Sequence, residues 1–139
     1  MKLTPRIPRR ARASQRRGVA AVEFAVCLPV LAMLVFGSLE ACTMIFVDQT
    51  LSIASYEGIR VAIQKDATSA DVIRRCKDIL TSRNINGAKV DLQPTNVSGL
   101  SPGTDVTVTV SAPCDSNSLI PPWFFGGRTL ESQTMMVKE

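Results

Sequence analysis

From Val19 to Val47 the chain is apolar apart from Glu23, Ser38, Glu40 and Thr43, and a leader rich in arginine and free of acids lies directly ahead of it. At about 1.5 Å per residue such a run is longer than the roughly 30 Å hydrocarbon core of a bilayer. It reads as a membrane helix over residues 19–47, and the rest of the fold has to be built after it. Glu23, four residues into that run, needs a physical reason. An unpaired acid entering hydrocarbon costs roughly 2.5 to 3.5 kcal/mol on insertion scales, and ionisable residues within a span usually mark function.

The formal net charge of +4 describes two different regions. Lys2, Arg6, Arg9, Arg10, Arg12, Arg16 and Arg17 all precede Gly18, which leaves nine bases against twelve acids in the remainder of the 139 residues. The body offers no basic face, so the composition argues against nucleic-acid binding. The leader contains Pro5 and Pro8 and has no amphipathic period. It reads as an irregular cytoplasmic segment over residues 1–18, retained there by the positive-inside rule. The apolar run is much longer than the core of a secretory signal, and the A-x-A-like sites at Ala32 and Ala41 are followed by no obvious mature start. A signal anchor fits better than a removed signal.

Residues 48–139 have the composition of one small domain. The helical period continues past Asp48 to about Gln64. Leu51, Ala54, Ala62 and the pairs Ile53 with Tyr56 and Ile59 with Ile63 recur at threes and fours, against a polar face of Gln49, Ser52, Glu57, Arg60 and Gln64. Pro29 predicts a kink between about Ala25 and itself. A second helix is predicted from Ala70 to about Ser82, with Ser69 as N-cap and Val72, Ile73, Cys76, Ile79 and Leu80 on one face. Gly87, suited to positive φ, follows its end. The period then changes to two: Val90 and Leu92, the Val-Thr alternation of Asp105–Ser111, and a last run from Thr129 to Lys138. The expected architecture is therefore α+β: a long N-terminal transmembrane helix extending into an amphipathic helix, a second short helix, and a three-stranded antiparallel sheet. The connection holding Pro121, Pro122 and Trp123-Phe124-Phe125 is expected to plug the small core, a subunit contact or membrane-surface anchor being the other reading.

The chemistry of catalysis is poorly represented. Histidine is absent from the sequence, no phosphate-cradling glycine loop is present, and the four cysteines form no CxxC pair. The chain is expected to be no enzyme, with no catalytic residue, metal or cofactor. Cys27 and Cys42 stand about 22 Å apart on a helix and read as packing residues. Cys76 and Cys114 fall in the outer domain. If that domain is extracytoplasmic, a disulfide between them would close a loop worth about 3 to 4 kcal/mol, and two buried free thiols are the alternative. The glycosylation triplet Asn96-Val97-Ser98 is short and is assigned no role.

The stretch Arg17-Gly18-Val19-Ala20-Ala21-Val22-Glu23-Phe24-Ala25, followed by Leu28-Pro29, resembles the processing site of type IV prepilins, most closely the TadE-like pseudopilins of the Flp/Tad tight-adherence system. Ala54-Ser55-Tyr56-Glu57-Gly58-Ile59-Arg60 is similar to that family's second signature, and the valine-rich strand and closing strand also agree. The resemblance implies cleavage between Gly18 and Val19 by an aspartyl prepilin peptidase at the cytoplasmic face of the bacterial inner membrane. It further implies that Glu23, followed by Phe24, pairs with the new amino terminus of a neighbouring subunit. Implied partners are the peptidase, other pilins or pseudopilins, and the inner-membrane pilus assembly platform. The implied protein is single-pass, with a cytoplasmic N-terminus and a periplasmic C-terminal domain, and is a candidate for incorporation into the extracellular pilus. Major Flp pilins are shorter and little more than the helix, so this chain resembles the larger minor components and an initiating, priming or tip role. The alternative is an unprocessed bitopic membrane protein whose outer domain binds a ligand or partner.

Overall fold

The computed structural model describes residues 10–138, with side chains from Gly18 onward. Helix α1 spans Arg10–Ala62 and α2 spans Ser69–Ser82. Strands β1 (Lys89–Gln93), β2 (Asp105–Pro113) and β3 (Thr129–Val137) follow, with a single 3-10 turn at Asp115–Asn117 between the last two. The expected α+β class and element order are those observed. The chain divides into two compact units, Met1–Phe36 and Gly37–Glu139.

In the first unit, every described side chain except the half-buried Ala32 is exposed. The helix is long and apolar enough to cross a membrane, and its most apolar window is 0% buried. The core helix of a soluble domain would hide such a window. Pro29 lies inside α1 without ending it. The expectation of an irregular leader fails where it can be compared, because α1 already begins at Arg10. Alanine, arginine and glutamine between Arg10 and Arg17 are good helix formers, and no proline follows until Pro29.

The second unit is built on one buried stripe of α1. Glu40, Met44, Val47, Leu51, Ala54, Gly58 and Ala62 are all buried, at spacings of three and four. This stripe starts earlier than residue 48, where the outer domain was expected to begin. Ile53 and Tyr56, expected among the apolar positions, instead face outward, with exposures of 39% and 49%. Their offset from the stripe puts them on the far side of the helix.

Helix α2 begins with a capping box. Asp71 N–H donates to the Thr68 hydroxyl, and Thr68 N–H donates to the Asp71 carboxylate. The cap is thus Thr68 and not Ser69. The Ser69 hydroxyl donates to Thr95 O and accepts from Val97 N–H, tying the helix to the β1–β2 connection. At the other end Asn84, with φ 55°, turns the chain, and Ile85 N–H reaches back to Leu80 O. Gly87 has the expected positive φ, 67°.

The sheet order is β1-β2-β3, both pairs antiparallel. Val106, Val108, Val110 and Ala112 alternate inward on the central strand and are fully or almost fully buried. Leu92 and the half-buried Leu130 and Met136 join them, and Leu51, Ala54, Ile59, Val72, Cys76 and Leu80 come from the helices. One sheet face therefore carries both helices. Lys138, just beyond β3, is buried and its ammonium donates to Ala62 O and Gln64 O, so the end of the chain satisfies carbonyls at the end of α1.

Candidate functional site

Gly18, Val19, Glu23 and Phe24 all lie on α1 in the first unit. Gly18 has no atom within 4 Å of where a Cβ would stand, and Val19 and Phe24 are 59% and 61% exposed. Gly18, Val19, Val22 and Glu23 line one open hollow of the helix surface, as their spacing of one turn requires. Glu23 is exposed and has no hydrogen-bond or ion-pair partner among the described residues. An apolar helix face with a single unmatched carboxylate and an unobstructed glycine is what this region presents.

The second signature, Ala54–Arg60, is where α1 docks. Gly58 is buried, and a Cβ there would collide with Cys76 Sγ on α2, so only glycine lets the two helices approach this closely. The same thiol donates to Ala54 O at 3.4 Å. The buried Ser55 hydroxyl meets Thr134 Oγ1 at 2.9 Å, joining α1 to β3. Glu57 accepts from Arg75 of α2 at 3.0 Å and from Arg60 at 3.2 Å. The hydrogen bond from Arg75, aided by the charges of both guanidiniums, holds the Glu57 carboxyl below the usual carboxylate range. Ala54, Ser55, Glu57 and Gly58 of the signature thus each meet a residue of α2 or β3.

The residue that sequence reasoning underrated is Glu40. Its side chain is 1% exposed, and its carboxylate accepts from three consecutive backbone N–H groups, those of Trp123, Phe124 and Phe125, at 2.9 to 3.1 Å. Pro121 and Pro122 stiffen the approach to the loop, and Gly127 N–H is held by the Asp115 carboxylate. The aromatic loop is therefore no core plug. Trp123 and Phe124 are 69% and 60% exposed, because the loop is fixed through its backbone and its rings remain outside. One signal was available in the sequence: Glu40 continues the inward stripe through Met44, Val47 and Leu51, and an acid on such a stripe must find donors.

Cys76 and Cys114 are buried free thiols, so the expected disulfide is not formed. Cys76 lies against Gly58, close to Val108, whereas Cys114 is six residues further along the β2 direction, within the electrostatic reach of Glu40. At about 3.3 Å per strand residue the two are separated by roughly 20 Å, several times the Cα separation a disulfide spans. Burial pushes the Cys76 thiol up to about 11. Burial, and then the neighbouring Asp115 charge, also raise that of Cys114. Among the described residues no group of three His, Cys, Asp or Glu side chains could hold a metal ion.

No curated protein and no solved structure matches the chain. A family model does: that of the TadE-like protein family, over residues 18–60. The match opens on Gly18 and closes on Arg60, taking in the exposed apolar helix, Glu23, the buried Glu40 and the whole docking signature, so over residues 18–60 the chain is similar to TadE-like proteins.

Proposed function

We propose that this protein is a pilin-like subunit of a Tad-type adhesive pilus system, cut by a prepilin peptidase between Gly18 and Val19 and required for pilus assembly. The observation that carries the reading is Glu23: a carboxylate exposed on an otherwise apolar, lipid-length helix, four residues beyond Val19, with no partner among the described residues. Hydrolysis of the Gly18–Val19 bond releases the basic leader and leaves a free α-amino group on Val19. That amine is basic and can carry a positive charge. Paired with Glu23 of an adjacent subunit, it compensates an acid that would otherwise be costly in lipid, and it fixes the axial register of one helix against the next. Assembly rather than catalysis is the activity, and the outer domain supplies contacts outside the membrane. The size of that domain favours an initiating, priming or tip subunit over a shaft subunit.

The experiment is intact-mass measurement of the protein recovered from its native membranes, in cells with and without prepilin peptidase. The expected chain begins at Val19 only when the peptidase is present. A chain that keeps Met1 or Lys2 in peptidase-positive cells would overturn the reading in favour of an unprocessed bitopic protein.

A further inference from the structure

We propose that the Pro121–Gly127 loop is a membrane-interface anchor, in which Trp123 and Phe124 enter the headgroup and upper acyl layer of a phospholipid bilayer and Glu40 holds them in position. The proposal rests on the membrane-spanning part of the reading above and not on cleavage or pilus assembly. Two rings more than half exposed on a small domain would normally be hidden or carried on a loose segment. Here they are held out deliberately. Three backbone N–H groups converge on the Glu40 carboxylate, both Asp115 oxygens take the Gly127 N–H, and the Arg128 guanidinium lies 5.8 Å from the Phe125 ring. The loop backbone is thereby fixed while the rings at 123 and 124 remain outside.

Where the loop is fixed indicates what covers it. The Phe124 ring packs on the backbone of Gly37, 3.4 Å from the place a Cβ would occupy, and Gly37 is the next residue along the chain after Phe36, where the exposed apolar unit ends. From Gly18 to Phe36 a helix rises about 28 Å, close to the thickness of a hydrocarbon core. A bilayer that holds Gly18–Phe36, the part of the 19–47 apolar run whose side chains are exposed almost all round, reaches its outer boundary near Gly37 in chain order. Tryptophan, with an apolar body and one N–H donor, favours that layer, and phenylalanine and leucine are the usual apolar side chains of surface-bound segments. The exposed Arg128 places a cation beside the same loop, where lipid phosphates lie.

Trp123 is the single tryptophan of the chain, so its emission reports this loop alone. The full chain is reconstituted into phosphatidylcholine–phosphatidylglycerol vesicles in which the acyl chains carry bromine either near the carbonyl end or near the methyl end. The expected result is blue-shifted emission, strongly quenched by the shallow bromines and weakly by the deep ones. In Glu40→Ala the depth-dependent quenching is lost, while the protein stays with the vesicles through an alkaline carbonate wash. Unquenched, water-like emission from wild-type protein that survives the wash would overturn the anchor. Emission that is blue-shifted but insensitive to bromine, and that rises with protein-to-lipid ratio, would overturn it in favour of a second copy covering the loop. Release of the wild-type protein by carbonate would remove the membrane span, and the anchor with it. Loss of cleavage or of piliation would leave the anchor standing.

Discussion

Two glutamates on one helix, Glu23 and Glu40, solve the same problem in opposite ways. Glu23 is exposed on an apolar surface and finds no partner among the described residues, whereas Glu40 is almost wholly buried and is met by three backbone N–H groups. A carboxylate removed from water must be compensated, and the compensation shows where a residue's purpose lies. For Glu40 it lies within the chain, so that residue serves the fold. For Glu23 the described residues supply none, which is what the proposed assembly role requires. Charge type is shared; exposure and the supply of donors differ.

The comparison can be broken most decisively at Glu23. Glu23→Ala is expected to leave cleavage largely intact and the urea unfolding of the outer domain unchanged, while abolishing piliation seen by electron microscopy. Full piliation in that variant would remove the assembly role. Glu40→Ala should show the reverse pattern, with the outer domain losing about 3 kcal/mol in denaturant unfolding, because charge-assisted bonds to backbone donors are lost. Glu40→Gln, which keeps an acceptor oxygen, should lose clearly less. If Glu40→Ala unfolds at the wild-type denaturant concentration, the distinction between the two acids fails.

Smaller effects sharpen the packing side of the contrast. Gly58→Ala should cost about 2 kcal/mol through overpacking against Cys76 Sγ, and a Cys76→Ala change should recover part of that loss in a double-mutant cycle. The Cys76 thiol gives a pH test. Its pKa is raised from 9.0 to about 11 by burial, so the fold favours the neutral thiol. That contribution is complete below about 9 and is withdrawn as pH rises through the folded value, so alkaline unfolding should begin in that window and be shifted upward in Cys76→Ala. At neutral pH both Cys76 and Cys114 should resist maleimide until the protein is denatured. Smallest, Thr68→Ala should cost about 1 kcal/mol by removing the α2 cap. Asp71, held below the ordinary carboxylate range by its bonds from Thr68, should add a modest loss of stability as pH falls from that range through its lowered folded value.

Much of this molecule is legible in order along the chain. The Val-Thr alternation of Asp105–Ser111 gives β2, and the three-and-four spacing of Val72, Cys76 and Leu80 gives the buried face of α2, because both patterns are local consequences of backbone geometry. The alternation after Thr129 likewise gives β3, with Leu130 and Met136 on the inner face. Misreadings cluster where a partner comes from far away in sequence. Ile53 and Tyr56 are as apolar as their buried neighbours, and only the docked sheet and α2 decide which side of α1 is covered. Ser69 is as good a cap as Thr68 by composition, and it was claimed instead by Thr95 and Val97.

The sequence by itself determined the apolar span behind its basic leader, the Gly18–Glu23 spacing and the α+β order, since each depends on residues adjacent in the chain or within a turn of one another. Only the tertiary structure decided the meaning of Glu40, of Trp123 and Phe124, and of Cys76 and Cys114. Glu40 is separated from its donors by more than eighty residues, and the two thiols are both buried and unpaired with each other. Hydrogen bonds, ring exposure and thiol separation are properties of positions in space, and chain order does not carry them until the helices and sheet have packed.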